Sequence, residues 1–144
     1  MIDLHIHTNY SDGDNSLEEV LRKCQEKNLE YISITDHNTC KAYADEAFNT
    51  YTGKVIVGAE MNATFNNKGF ELLAYKIKNP EIIEEWSKKF FSEEILKKQQ
   101  EYSKQHLLDI CDKKGLIYNI DNIQKDIPVT DYITIYIYKE LMNH

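Results

Sequence analysis

The chain has no apolar run long enough to cross a membrane and no amino-terminal secretion signal. It has a single arginine, Arg22, and its 24 acidic residues outnumber 17 lysines and arginines, for a net charge of -7. The overall field therefore draws it to neither nucleic acid nor an anionic membrane. Any phosphate it binds must be held locally, by metal ions or a few lysine side chains. Cysteine is scarce: Cys24, Cys40 and Cys111 are odd in number, widely spaced and form no CxxC pair. That excludes a zinc knuckle of the usual spacing and argues against a disulfide framework. The three read as small buried hydrophobes. There is no GxSxG, no P-loop, no internal repeat and no low-complexity tract. The pattern predicts a cytoplasmic protein with no membrane partner and no general affinity for nucleic acid.

What is present supports a folded domain. The 144 residues make one domain or part of one, and 42% apolar content is enough for a core. The first thirteen residues carry the densest signal. Leu4 and Ile6 alternate with His5 and His7, the two-residue period of a strand, so both imidazoles point to one side. Two such rings can grip one metal ion. Asn9, Ser11, Asp12 and Gly13 form a turn beyond the strand, from which Asp12 can reach back to the histidines.

Further along, Ser16 and Glu19 form a capping box, and Leu17, Val20, Leu21 and Cys24 fall on one helical face that stops near Asn28. A second strand over 31–35 ends on Asp36, His37 and Asn38. A helix is predicted over 42–51, with Tyr43, Ala44, Ala47 and Phe48 as its apolar side. A third strand over 54–60 terminates on Glu60; a turn over 66–69 leads to a fourth over 70–77 carrying Glu71. Pro80 can start a helix, and Ser92 caps a longer one that runs to Lys114 and stops at Gly115. Its apolar stripe is Ile95, Leu96, Tyr102, His106, Leu107, Ile110 and Cys111, with His106 read as a core-edge residue. The segment 116–126 is short and mixed, and 132–138 fits both strand and helix periods.

Short strands alternating with helices imply an α/β fold with a parallel sheet or barrel. Ligands in such folds bind at the carboxyl ends of the strands. Asp12, Asp36, His37 and Glu60 all fall at or near predicted strand ends, while His5 and His7 lie within the first strand. Mixed imidazole and carboxylate donors suit Mn, Fe or Zn, and the two oxygens of Glu60 can bridge two ions. Cations placed there polarise a phosphoryl oxygen and activate water.

The pieces Asp3-Leu4-His5-Ile6-His7-Thr8 with Ser11-Asp12-Gly13, Thr35-Asp36-His37-Asn38 and Gly58-Ala59-Glu60 resemble the first three motifs of the PHP (polymerase and histidinol phosphatase) superfamily. The resemblance implies part of a distorted seven-stranded βα barrel with a trinuclear divalent metal site, and phosphoesterase activity through a metal-bound hydroxide. It implies that His5, His7 and Glu60 hold one metal, that Asp12 and His37 hold another with Glu60 as bridge, and that Asp36 orients His37 or a bound water. Its substrates would be nucleotides, oligonucleotides or small phosphorylated metabolites. Glu71 stands in Glu71-Leu72-Leu73-Ala74-Tyr75, where the family has a histidine ligand. It is either a ligand favouring harder ions or a solvated strand residue.

The later family motifs, with three more ligands, are not in this sequence. Fewer than three ions are then expected, or a homo-oligomer that supplies the missing ligands, and the alternative function is a metal-binding module without turnover. Residues 1–78 are read as the metal-binding βα region. Residues 79–144 resemble the helical insertion of some members, which favours a helix over 131–142.

Overall fold

The computed structural model describes residues 1–115. The first of its two compact units is Met1–Ser87, and the second begins at Lys88. In the first unit, β1 (Ile2–Ile6), β2 (Tyr31–Ile34) and β3 (Lys54–Val55) form a parallel sheet in that order. Ile2 pairs with Tyr31 and Ile6 with Ile34, with a register irregularity between Asp3 and Ile6. Ile32 pairs with Val55. β4 (Gly58–Phe65) and β5 (Lys68–Tyr75) form an antiparallel hairpin from Gly58↔Tyr75 to Phe65↔Lys68. A parallel bridge between His37 and Glu60 carries the direction of the sheet into the hairpin.

The crossover from β1 to β2 is α1 (Leu17–Glu26), which begins with the expected capping box. Ser16 accepts from Glu19 N–H at 3.3 Å, and the Glu19 carboxylate accepts from Ser16 N–H at 3.0 Å. The helix ends at Asn28, whose left-handed φ of 54° an asparagine tolerates. Leu17, Val20, Leu21 and Cys24 are all buried against Leu29, Ile32, Ile34, Ala42 and Tyr51, which is the core of this unit. Burying a leucine such as Leu17 or Leu21 this fully contributes about 1.5–3 kcal/mol each.

Several expectations from the sequence are corrected. The helix over 42–51 is instead a pair of 3₁₀ turns, Lys41–Ala44 and Glu46–Thr50. Asp45 divides them: its backbone is extended, and its carboxylate takes the Ala47 N–H at 2.9 Å in competition with a continuous helix. Tyr43 and Phe48 stack at 5.3 Å and, with Ala47, face the core, but Ala44 is exposed and Ala42 is the buried alanine, because the 3₁₀ turns shift the inward positions.

The strand over 54–60 is also two strands. The Tyr43 hydroxyl donates toward Ile34 O, lies 3.2 Å from Ile56 O and accepts the Gly58 N–H at 2.9 Å. That phenol substitutes for sheet bonding at the junction and lets the chain leave the parallel layer. A Cβ on Gly58 would collide with the Ser33 hydroxyl and lie 2.9 Å from Ala74 O, so only glycine passes there. Glu60 consequently lies inside β4 and not at the end of a strand.

The hairpin turn is narrower than expected. Asn66 and Asn67 alone make it, with φ of 50° and 58°, as a two-residue turn of the primed kind requires. Beyond β5, α2 (Pro80–Phe90) begins where the sequence predicts, and α3 (Glu93–Lys114) both begins and ends there. Ser92 accepts from Ile95 N–H at 3.4 Å, and Gly115 closes α3 with a left-handed φ of 66°. Its stripe is only partly inward: Cys111 is buried, but Tyr102 and Ile110 are exposed. His106 is exposed as well, stacked on Tyr102 at 6.3 Å, not a core-edge residue. The readings of 116–126 and 131–142 lie outside the described residues. No described helix is long and apolar enough to cross a membrane.

Candidate metal centre

The loop after β1 folds back on itself and brings Asp12 to the histidines. Thr8 O accepts from Ser11 N–H at 3.1 Å and from Gly13 N–H at 2.9 Å. A Cβ on Gly13 would sit 2.8 Å from the backbone of His7 and Thr8, too close for any real side chain. Gly13 is therefore the residue that permits the fold-back. Asp36, just past β2, locks it: its carboxylate accepts from Thr8 N–H, Thr8 Oγ1 and Ser11 Oγ, each at 2.7 Å. Asp36 is 1% exposed. Burial pushes its carboxyl above the ordinary range, against the pull of the Thr8 N–H, the Ser11 and Thr8 hydroxyls and the charge of His7.

The donors converge on one carboxylate oxygen. Glu60 Oε2 lies 2.9 Å from His5 Nε2, 3.0 Å from His7 Nε2 and 3.7 Å from His37 Nε2. Asp12 approaches from the other side, with Oδ1 2.9 Å from His7 Nδ1 and Oδ2 3.7 Å from His37 Nε2. Glu71 on β5 closes the edge, its Oε1 3.7 Å from His37 Nδ1. The rings are stepped, with centroids 5.0 Å apart for His5 and His7 and 4.6 Å for His7 and His37.

These spacings fit divalent cations. Donors held about 2.0–2.2 Å from one ion in tetrahedral or octahedral array lie roughly 3.0–3.5 Å from one another. Three overlapping sets each bring one ligand atom per residue within 4.8 Å of one another, close enough to share an ion after small side-chain adjustment: His5, His7 and Glu60; His7, Asp12 and His37; His37, Glu60 and Glu71. The protonation chemistry agrees. Both His7 ring nitrogens face carboxylate oxygens at hydrogen-bond distance. A neutral imidazole has one N–H, so one of those contacts sets acceptor against acceptor unless the ring is protonated or a cation lies between.

The structure thus brings His5, His7, Asp12, His37 and Glu60 together, with Glu71 at the rim. His7 follows β1 directly, one residue beyond its end. Asp36 packs beneath them, holding the first loop through Thr8 and Ser11. Sequence reasoning passed over those two hydroxyls, although both stand inside the motifs that drew attention. It also passed over Asn38, whose φ is 54°. Asn38 N–H donates to Glu60 O at 2.8 Å, and its side-chain oxygen accepts from Asn62 N–H at 2.9 Å. An asparagine after a strand is the available signal, since it tolerates the left-handed region.

An α/β domain that gathers three imidazoles and several carboxylates at one place has groups that could hold metal ions. Comparison with known proteins makes that specific. The PHP domain family matches residues 3–141. This chain belongs to the PHP domain family.

A 36-residue stretch is 44% identical to the DNA polymerase/3'-5' exonuclease PolX of Bacillus subtilis (strain 168), covering 25% of this chain and 6% of that protein. Two solved structures are similar in fold. An amidohydrolase from Chromobacterium violaceum, with sulfate bound and no metal, has a TM-score of 0.74 at 17% identity, over 99% of this chain and 49% of its own. A metal-dependent phosphoesterase, so described, from Bifidobacterium adolescentis has a TM-score of 0.68 at 19% identity, over 99% and 49%. The chain spans about half the length of these structures and a small part of the polymerase.

Proposed function

We propose that this chain is a metal-dependent phosphoesterase site on part of a βα barrel, acting on a nucleotide or a small phosphorylated metabolite. The observation that carries it is the convergence of His5, His7 and His37 on one oxygen of Glu60. His5, His7 and Glu60 would hold one divalent ion, and Asp12 and His37 a second that shares Glu60. Glu71 would lend an oxygen at the rim. Imidazole with carboxylate suits Mn, Fe or Zn. When bound, such ions activate water at neutral pH and polarise a phosphoryl oxygen.

The side chains set the other conditions. Asp12, Asp36, Glu60 and Glu71 make this place strongly negative, and carboxylates repel a phosphate ester unless cations stand between. Asp36 fixes the loop that carries Asp12, so the donor array is preorganised. The Glu71 carboxylate, 52% exposed, favours a second reading, cation binding without turnover.

The test is hydrolysis of a chromogenic phosphomonoester and a phosphodiester with added Mn²⁺, wild type against His7→Ala. The expected result is a loss of roughly hundredfold or more. Equal rates overturn the proposal, and bound metal with no hydrolysis of either ester assigns the second reading.

A further inference from the structure

Past His37, the segment 38–40 is held from two sides. On one, Asn38 is bonded to β4 through Glu60 O and Asn62 N–H. On the other stands Glu84, one turn into α2. Its Oε1 accepts from the Thr39 hydroxyl at 2.8 Å and from the Cys40 N–H at 2.6 Å. Thr39 is 7% exposed and Cys40 3%. Thr39 Oγ1 in turn accepts the Lys41 N–H at 3.1 Å. A half-buried carboxylate is thus spent on a hydroxyl and a peptide two and three residues after a candidate ligand. Charge-assisted bonds of this length are roughly twice as strong as neutral ones.

Resting on the reading above, we infer that Glu84 is a positioning residue, which sets where His37 stands against Asp12 and Glu60 by gripping Thr39 and Cys40. His37 is the candidate ligand nearest this grip along the chain. Its Nε2 lies 3.7 Å from both carboxylates, while His5 and His7 reach theirs at 2.9–3.0 Å. Glutamine keeps the accepting oxygen of Glu84 and alanine removes it.

The experiment compares wild type, Glu84→Gln and Glu84→Ala in two measurements. In chelator-treated protein, nitrogen-15 spectra of the histidine rings report the surroundings of His37. In titrations with Co²⁺, the visible absorption of the bound ion reports affinity and geometry. Glu84→Ala should shift the His37 ring signals and weaken Co²⁺ binding about tenfold with an altered spectrum, whereas Glu84→Gln stays within about twofold. Unchanged His37 signals in Glu84→Ala overturn the inference, even if its melting temperature falls; so does equal loss in both variants. Should wild type bind no Co²⁺, the phosphoesterase reading fails and the ring spectra still decide on Glu84. If Glu84→Ala does not fold, Thr39→Val removes one of the two bonds and takes its place.

Discussion

The parallel strands and the hairpin contribute to the same donor array under opposite conditions. The segment that follows β2 and the start of the loop after β1 are sealed: Thr8, Thr35 and Asp36 are at most 1% exposed, and Asn38, Thr39 and Cys40 at most 7%. The hairpin is open, with Phe65 68%, Phe70 42% and Leu72 54% exposed. The donors cross this division, since Glu60 stands on the hairpin strand β4 and His5 on the parallel strand β1. His7, Asp12, His37 and Glu60 have side chains 9–21% exposed, while His5 and Glu71 stand at 48% and 52%. Buried donors cannot move without breaking their supporting bonds. Exposed ones can exchange a partner for water at little cost. A rigid inner set with a yielding rim is the expected outcome.

If the strand side is truly sealed, alkaline pH should attack it first. Burial, aided by the charges of Glu84 and Asp36, pushes the Cys40 thiol up to about 12. Burial also pushes the Tyr43 phenol up to about 12, against its bonds to Gly58 and Ile34. In the unfolded chain these groups lose their protons near their ordinary values of about 8.5 and 10. The unfolded state is then favoured by ionisation that the folded state resists. Stability present below pH 8.5 should fall as pH rises toward 12, by on the order of 3 kcal/mol. Urea unfolding of wild type and Cys40→Ala between pH 8 and 11 measures it. The variant should lose stability less steeply with pH, and parallel slopes would mean water reaches the thiol.

A pair of glycines probes the same contrast sterically. A Cβ at Gly13 meets His7 and Thr8 backbone at 2.8 Å, whereas one at Gly69 in the hairpin meets nothing within 4 Å. Gly13→Ala should cost about 1–3 kcal/mol, because only backbone can move aside. Gly69→Ala should be neutral or stabilising by about 0.5 kcal/mol, through reduced freedom of the unfolded chain. Thermal denaturation of both variants decides, and equal effects would remove the distinction between the two regions.

How much of this could be read from the sequence also follows that division. Local signals were sufficient where the determinant is local. The capping box at Ser16, the helix stop at Asn28 and the Ser92-to-Gly115 helix depend on residues within a turn of one another. The motifs around His5, His37 and Glu60 carried the donor set, because strand periodicity and loop residues place side chains by short-range rules. Non-local determinants were not visible. The break between β3 and β4 depends on a phenol from Tyr43, and the grip on Thr39 and Cys40 on a carboxylate from Glu84, more than forty residues later. The division of 42–51 at Asp45 lay between: the residue's capping habit was available, but the helical period outweighed it.

Glu71 is where the comparison can be made sharpest, since it is the rim donor that the sequence left undecided. It pairs with Asn62 across the hairpin and reaches His37 at 3.7 Å while half in water. A donor so placed gains little, because the ion it would bind can take water instead at small cost. Glu71→Ala should therefore weaken Mn²⁺ binding only about fivefold, near 1 kcal/mol. Glu60→Ala should weaken it by a further tenfold or more, because it removes the oxygen that three imidazoles share. Glu71→His should raise the preference for Zn²⁺ over Mn²⁺, as imidazole is the softer donor. Calorimetric titration of the three variants with both ions measures this. If Glu71→Ala loses as much as Glu60→Ala, the exposed edge of the hairpin is as rigid a part of the centre as its buried start. If it loses nothing, Glu71 is a solvated strand residue and the donor set ends at Glu60.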